Sequence, residues 1–483
     1  MNRLRPSERF RPWVSLYITV MAMATILVGI RQMRERNIWS MGDWLVNYQG
    51  GFVRRGLPGE AAFRLGRMMH VSPDVFVLIM QLACYAAMFY SFYRLLSGLR
   101  PKLWTILVLV SPATLAFQLL EYQSGFRKET IFLGGLGLLI LALLRSSICD
   151  AWISAYTTVF VAICILSHDA PILYGGLVLA ALAIGFGLNR RLLNVLICPL
   201  ICMFCMLALT LTHHGDSNTA KRVCGSLGYN VEQLILPAPC KGEIAQIGLT
   251  LQEERAEARY EHPLLHYTRR YLVYTFVAFV PLIMAFATLW RWKAGRPLLK
   301  ILLSMTALTI CATGVLFYMT IDWGRWVYIG VFAIALLLMM IENIRQSDPS
   351  QREADECQRA SRTHVWQTHT ATVLFVAFYA LSWHLPHSRP DEFRFGGYTV
   401  GNYISLALSV LGPSHSWRKS PPVRFREESD SAPATSVIWP TRFKLPFTCC
   451  YGSPARTAPQ MINPSYFHCR RSRKRANYPV TMK

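Results

Sequence analysis

The sequence predicts an all-α integral membrane protein, a bundle of transmembrane helices with its N-terminus in the cytoplasm. Three observations carry this. Of the 483 residues, 53% are hydrophobic and only 16% charged, against about 25% charged in an ordinary soluble protein. The apolar residues run in long blocks, several of which reach the ~17–25 residues that cross a bilayer. Lysine and arginine collect in alternate connections between the blocks, as the positive-inside rule requires. A soluble enzyme, a disordered chain and a small disulfide scaffold are excluded.

Eleven spans are predicted, at 13–30, 74–96, 103–120, 131–145, 151–167, 170–188, 192–212, 271–290, 299–320, 326–342 and 368–385. The first follows Arg3, Arg5, Arg9 and Arg11. Ala22 and Ala24 lie inside its apolar run and not behind it, so it reads as an uncleaved anchor. Alternating from there, the inside connections carry Arg100 and Lys102, then Arg145, then Arg190 and Arg191. Further inside connections carry Arg291, Lys293, Arg296 and Lys300, and finally Arg345, Arg352, Arg359 and Arg362. The membrane domain covers 1–398, with outside loops at 31–73 and 213–269. In the second loop Leu251–His262 is expected as a helix with a solvated charged face. Residues 399–412 are apolar but short, a candidate twelfth span. The tail 413–483 is proline-rich and basic, with no periodicity, and is expected to be disordered.

The formal net charge is +23. The tail holds 13 Lys and Arg against 3 Asp and Glu, and the remaining excess belongs in cytoplasmic loops. No nucleic-acid partner is expected. The 13 cysteines show no zinc or haem spacing, so neither a metal nor a cofactor is predicted. Cys198, Cys202 and Cys205 share one helical face and read as small hydrophobes packed between helices. Cys224 and Cys240 are the only cysteines of the second outside loop. In an oxidising periplasm they would form a disulfide worth about 3 kcal/mol.

Four polar clusters border the spans, and the topology puts all four outside. The first, Gly42–Gly56, combines Asp43 with Gly50–Gly51 and the pair Arg54–Arg55. Its aromatics Trp39, Trp44, Tyr48 and Phe52 recur near helical spacing, which predicts an interfacial helix ending at Gly50–Gly51, its aromatics serving either as membrane-interface anchors or as a binding platform. The second holds Arg127, Lys128 and Glu129 in a short outside connection, where cations are disfavoured. It is either a phosphate-binding pair or an Arg127–Glu129 surface ion pair. The third is His168–Asp169, held at membrane depth, where ionisable groups are costly and tend to be functional. In the fourth, Asp322 and Arg325 either pair with each other or complete a polar cavity with Arg54 and Asp43.

An acid just after span one, followed by an interfacial segment, resembles the layout of membrane glycosyltransferases that use polyprenyl-phosphate donors. The outside arginines and one large outside loop are similar to O-antigen and exopolysaccharide repeat-unit polymerases. The chain as a whole resembles the inner-membrane proteins of bacterial exopolysaccharide virulence clusters, which serve in polymerisation or export. The resemblance implies location in the bacterial inner membrane and a polyprenyl-diphosphate-linked oligosaccharide as substrate. It further implies contact with membrane lipid and with other exopolysaccharide assembly and export proteins as partners. Under it, Asp43 matches the catalytic acid that deprotonates an acceptor hydroxyl, and Arg54, Arg127 and Arg325 hold the diphosphate leaving group. Arg55, Lys128, Glu129, His168, Asp169 and Asp322 join them as substrate-binding candidates. The alternative function is export of the polymer, or of its lipid-linked repeats, across the membrane. There is no Walker loop or nucleotide-binding glycine fingerprint, so neither ATP nor a nucleotide-sugar donor is expected.

Overall fold

In a computed structural model the described residues are 6–145, 147–213, 215–229, 240–250, 264–348 and 368–388, with 252–253, 255–256, 401 and 404 as isolated positions. The expected Leu251–His262 helix falls largely outside them, as do the candidate twelfth span 399–412 and the tail 413–483. Among the described residues the protein is helical throughout, with no strand. Seven helices are long and apolar enough to cross a membrane: Phe10–Glu35, Pro73–Ser97, Asp150–Ser167, Arg190–Thr212, Tyr267–Trp290, Lys293–Met319 and Trp323–Ser347. Three shorter apolar helices accompany them, at Glu129–Leu143, Ala170–Phe186 and Thr370–Leu381.

The Trp323–Ser347 helix is the axis of the bundle. Its apolar run Val327–Ile341 is buried apart from Gly330. The helices Pro73–Ser97, Glu129–Leu143, Gly175–Phe186, Leu264–Trp290 and Arg296–Met319 all pack against it. By contrast, Arg190–Thr212 packs chiefly on Asp150–Ser167 and turns Leu193, Ile201, Phe204 and Leu211 outward. An apolar face of this extent on a soluble protein would drive association; it suits a hydrocarbon surround. This peripheral position corrects the reading of its cysteines. Cys198 and Cys205 are exposed, and only Cys202 turns inward, toward the Thr158 carbonyl at 3.7 Å.

The expected span 103–120 is not one helix. Helix Leu103–Val110 stops at Ser111, which is extended, and one-turn helices follow at Phe117–Leu120 and Tyr122–Gly125. The cause is Pro112, which has no amide hydrogen and pushes the preceding residue out of the helical region. The broken backbone is buried, and Thr114 Oγ1 donates to the Val108 and Ser111 carbonyls at 2.7 and 3.0 Å. Non-helical backbone at this depth is tolerated when protein covers it and its polar groups find partners.

The two loops 31–73 and 213–269, where described, fold together into one cap. Met41, Trp44, Leu45, Val46, Val53 and Phe63 from the first pack against Val223, Leu227, Ile244 and Ile247 from the second. Cys224 and Cys240 are joined by a disulfide, with Cα atoms 5.9 Å apart. The expected interfacial helix around Trp39–Gly50 is reduced to one turn, Gly42–Leu45, and Trp44 is buried in the cap core rather than anchored at an interface. The amphipathic helix comes later, at Leu57–Met69, where Leu65, Met68 and Met69 are exposed opposite buried Ala62 and Phe63. Its fit requires Gly59, because a Cβ there would lie 1.9 Å from the Val46 carbonyl oxygen.

Candidate functional site

The four polar clusters converge beneath the cap. Asp43 is fully buried; its Oδ2 accepts a hydrogen bond from the Lys128 amide at 3.2 Å and faces Arg127 Nε at 3.4 Å. Its other oxygen faces Lys128 Nζ at 3.6 Å. Lys128 Nζ donates to the Arg55 carbonyl at 2.6 Å. Arg55 reaches Asp169 at 2.9 Å and Glu243 at 3.3 Å, while Arg54 reaches Asp169 at 3.5 Å. Arg127 also pairs with Glu243. On the far side, Glu129 Oε1 lies 3.4 Å from both His168 Nε2 and Arg325 Nη1, and Arg325 Nη2 lies 3.0 Å from Asp322.

All ten residues singled out in the sequence therefore belong to one assembly. Arg127 and Glu129 are buried in it instead of forming a surface pair. Asp322 and Arg325 pair with each other and also join the cavity through Glu129. Arg54 meets Asp169, not Asp43. One member was missed: Glu243, on the short helix Glu243–Gln246 of the second loop, an acid within a long polar segment that gave no sign of turning inward.

Local structure explains the inward turn of Arg127 and Lys128. Trp44 Nε1 and Gln81 Nε2 both donate to the Phe126 carbonyl, at 2.9 and 3.0 Å, and the Tyr85 hydroxyl donates to the Gly125 carbonyl. These bonds fix the loop so that the next two side chains enter the interior. Arg55 has φ 69°, a left-handed conformation that a non-glycine residue adopts only where its surroundings impose it. It directs the Arg55 carbonyl at Lys128 and its guanidinium at Asp169.

The assembly contains the basic side chains Arg54, Arg55, Arg127, Lys128 and Arg325 and the acids Asp43, Glu129, Asp169, Glu243 and Asp322, one for one. Burial would raise the Asp43 carboxyl, but Lys128, Arg127, Arg55 and Arg325 outweigh it and hold the group below the usual carboxylate range. Asp169 is likewise held low against burial by Arg55 and Arg54, and Asp322 by Arg325, Arg127 and His387. Lys128 is pushed down to about 8 by burial, which the attraction of Asp43 only partly offsets. His168 lies well below the ordinary histidine value through burial and four neighbouring cations, so it is neutral. Its Nδ1 accepts from the Ala170 amide at 3.1 Å, which places the proton on Nε2, facing Glu129. Several of these buried atoms, among them Asp43 Oδ1, both Glu129 oxygens and Arg325 Nη1, have no hydrogen-bond partner among the described residues. Buried polar groups are almost always satisfied, so such a concentration marks this place out.

Exposure divides the acids. Asp43 has none, whereas the side chains of Asp169 and Asp322 are 28% and 23% exposed. Asp322 leads to a second group that the sequence did not suggest. His387 Nδ1 lies 2.6 Å from Glu121 Oε2, its Nε2 lies 3.0 Å from Ser388 Oγ, and His384 Nε2 lies 3.5 Å from Glu121 Oε1. Among the described residues no group of three or more His, Cys, Asp or Glu is arranged to hold a metal ion.

Beside the charged assembly an apolar cavity of about 300 Å³ runs between helices, lined by Tyr271, Phe279, Thr309, Phe317, Trp326 and Ile334 among others. It meets the ion pairs at Trp326, whose ring lies under the Arg325 guanidinium at 4.3 Å. The chain matches no protein-family model, no curated protein sequence and no solved structure.

Proposed function

We propose that this protein joins lipid-linked oligosaccharide repeats at the periplasmic face of a bacterial inner membrane. In this reading the shorter helices and the broken segment 103–125 complete eleven crossings, and the N-terminus is cytoplasmic. The observation that carries the proposal is the adjoining of two unlike environments: a buried cluster of basic side chains and an apolar cavity that opens beside it. A polyprenyl diphosphate has the same two parts. Its chain suits the apolar cavity, and its diphosphate suits arginines, whose planar forks match phosphate oxygens. Arg325 stands where the two environments meet, and Arg54, Arg55, Arg127 and Lys128, each paired with an acid, extend the row of basic side chains away from it.

Polymerisation is favoured over export by the distribution of polar groups along the central helix. Arg325 belongs to the outer assembly. Glu342, roughly 25 Å away at 1.5 Å rise per residue, belongs to a separate group with Lys102 and Arg345. Between them Val327–Ile341 carries no charged side chain and a single hydroxyl, that of Tyr328, so a hydrophilic glycan has no continuous polar path along it. The test is an analysis of polyprenyl-linked glycans in a strain lacking the protein. Accumulation of complete single repeats at the periplasmic face supports a polymerase. Repeats trapped on the cytoplasmic face refute it in favour of a transporter.

A further inference from the structure

The proposed transfer needs a group to accept the proton of the attacking hydroxyl, and that group must be reachable. Asp43 has no exposed surface, and both its oxygens face cations. Asp169 and Asp322 are exposed in part, but each is committed to an arginine, at 2.9 and 3.0 Å, which makes it a weak base. His387 differs from all three. Glu121 Oε2 lies 2.6 Å from its Nδ1, the geometry of an Nδ1–H donated to a carboxylate oxygen. This fixes the tautomer and leaves Nε2 with its lone pair outward. Ser388 Oγ donates to that lone pair at 3.0 Å, so a hydroxyl already occupies the position a base requires.

Two hydrogen bonds tie the backbone of the dyad to elements that border the apolar cavity. The Gly324 amide donates to the His387 carbonyl at 3.1 Å, and the Tyr271 hydroxyl donates to the preceding Pro386 carbonyl at 2.9 Å. Tyr271 and Trp323 line the cavity itself. Among the described residues, the charged or titratable groups that face His387 are Glu121 and His384 with Asp322, and Asp322 carries Arg325 behind it. The ring is 23% exposed at its side chain, against none for Asp43.

We infer that His387 is the catalytic base of this site and that Glu121 is its positioning residue. This rests on the transfer reaction proposed above. An acceptor sugar hydroxyl takes the place of the Ser388 hydroxyl at His387 Nε2. Its oxygen attacks the anomeric carbon of the donor, and the bond from that carbon to the diphosphate oxygen breaks. The hydroxyl proton passes to Nε2, and the electron pair leaves with the polyprenyl diphosphate, whose charge Arg325 stabilises. Glu121 holds the ring in register and stabilises the imidazolium that forms, the arrangement of base and orienting carboxylate found wherever a hydroxyl is activated this way.

The experiment uses the full chain in lipid nanodiscs, with the polyprenyl-diphosphate-linked repeats extracted from the deletion strain as substrate and chain growth as readout. A positioned base contributes about 10²- to 10⁴-fold, so His387→Gln should lose at least about 100-fold in kcat. His387→Ala should regain transfer when imidazole is added, a recovery that a purely structural role would not show. Glu121→Gln should lower kcat with little change in KM, and Ser388→Ala should retain transfer. If wild-type protein transfers and His387→Gln does so equally well, the dyad assignment is overturned while the function stands. If Ser388→Ala abolishes transfer and a fluorophosphonate probe labels Ser388, the serine is a nucleophile and the assignment is overturned. Absence of transfer by wild-type protein refutes the underlying function instead.

Discussion

Replacing Asp43 with asparagine should disturb the whole outer assembly, and the size of the effect should depend on pH in a defined way. The carboxylate is buried and faces Arg127 at 3.4 Å and Lys128 at 3.6 Å. Removing one partner from a buried ion pair costs about 3–5 kcal/mol. Asparagine keeps an oxygen for the Lys128 amide, so the loss should fall toward the lower figure, and alanine should cost more. The pH dependence comes from Lys128, which burial holds at about 8 with Asp43 opposing the fall. Without Asp43 it drops further. A lysine whose value is depressed on folding binds fewer protons folded than unfolded between its folded value and about 10.4. Stability contributed by it therefore rises with pH across that window. In the variant the window begins lower, so the penalty of the substitution should be largest near pH 6, shrink as pH rises toward about 8, and stay level above that, where Lys128 is neutral in both proteins. Thermal unfolding in nanodiscs, followed by tryptophan fluorescence from pH 6 to 10, measures this. Equal stability of the variant, or a penalty that does not change with pH, would refute the view that Asp43 and Lys128 are one electrostatic unit.

Three further outcomes are expected. Cys224→Ser with Cys240→Ser should cost about 3 kcal/mol for opening a loop of this length, since the two are 16 residues apart; a redox-insensitive melting temperature would contradict it. Glu342→Ala should destabilise the protein by about 3–5 kcal/mol, because Lys102, Arg345 and Gln346 all converge on that buried carboxylate; Glu342→Gln should recover part of the loss in the same melting assay. Asp169→Asn should tighten inorganic pyrophosphate binding by isothermal calorimetry, because it removes the internal anion that occupies Arg54 and Arg55. Weaker binding would mean that Asp169 supports the anion site instead of competing with it.

Most helices were legible because apolar length is a strong signal, and where the sequence misled, a local cause is identifiable. Pro112 broke the span expected at 103–120; its effect was written in the residues but was overridden by their hydropathy. The aromatic spacing from Trp39 to Phe52 imitated an interfacial helix, yet Trp44 is drawn into the cap by its bond to the Phe126 carbonyl, a partner 82 positions away that no local pattern announces. The candidate site was legible for a different reason. Charges in short connections between apolar spans have few places to go, so Arg127, Glu129, His168, Asp169 and Arg325 had to meet one another or the cap. Glu243 sits in a long polar loop where acids are ordinary, and His387 follows the last long apolar run as one of two histidines in a Pro-containing turn; neither spacing pointed at chemistry. Both are brought in by tertiary contacts, Glu243 through Arg55 and Arg127, and His387 through Glu121 and Gly324.

The balance of charge in the assembly constrains how any anion could use it. Five carboxylates oppose five cationic side chains, so the interior presents no surplus of positive charge while it is closed. An isolated buried charge is expensive, and mutual pairing is what allows so many here. In the proposed reaction a diphosphate therefore takes the place of a carboxylate. The cheapest to displace are those with access to solvent, Asp169 and Asp322, whereas Asp43, Glu129 and Glu243 are buried and pair with residues behind them. Displacing Asp322 leaves Arg325 with Glu129 and over the Trp326 ring, which lines the apolar cavity. Displacing Asp169 removes one acid from Arg54 and Arg55 on the opposite flank, with Arg55 still paired to Glu243. Two anionic groups could thus be held at once, one at each flank, with Glu129 and His168 between them keeping Arg325 in place. That geometry suits a reaction between two lipid-linked chains better than one acting on a single chain.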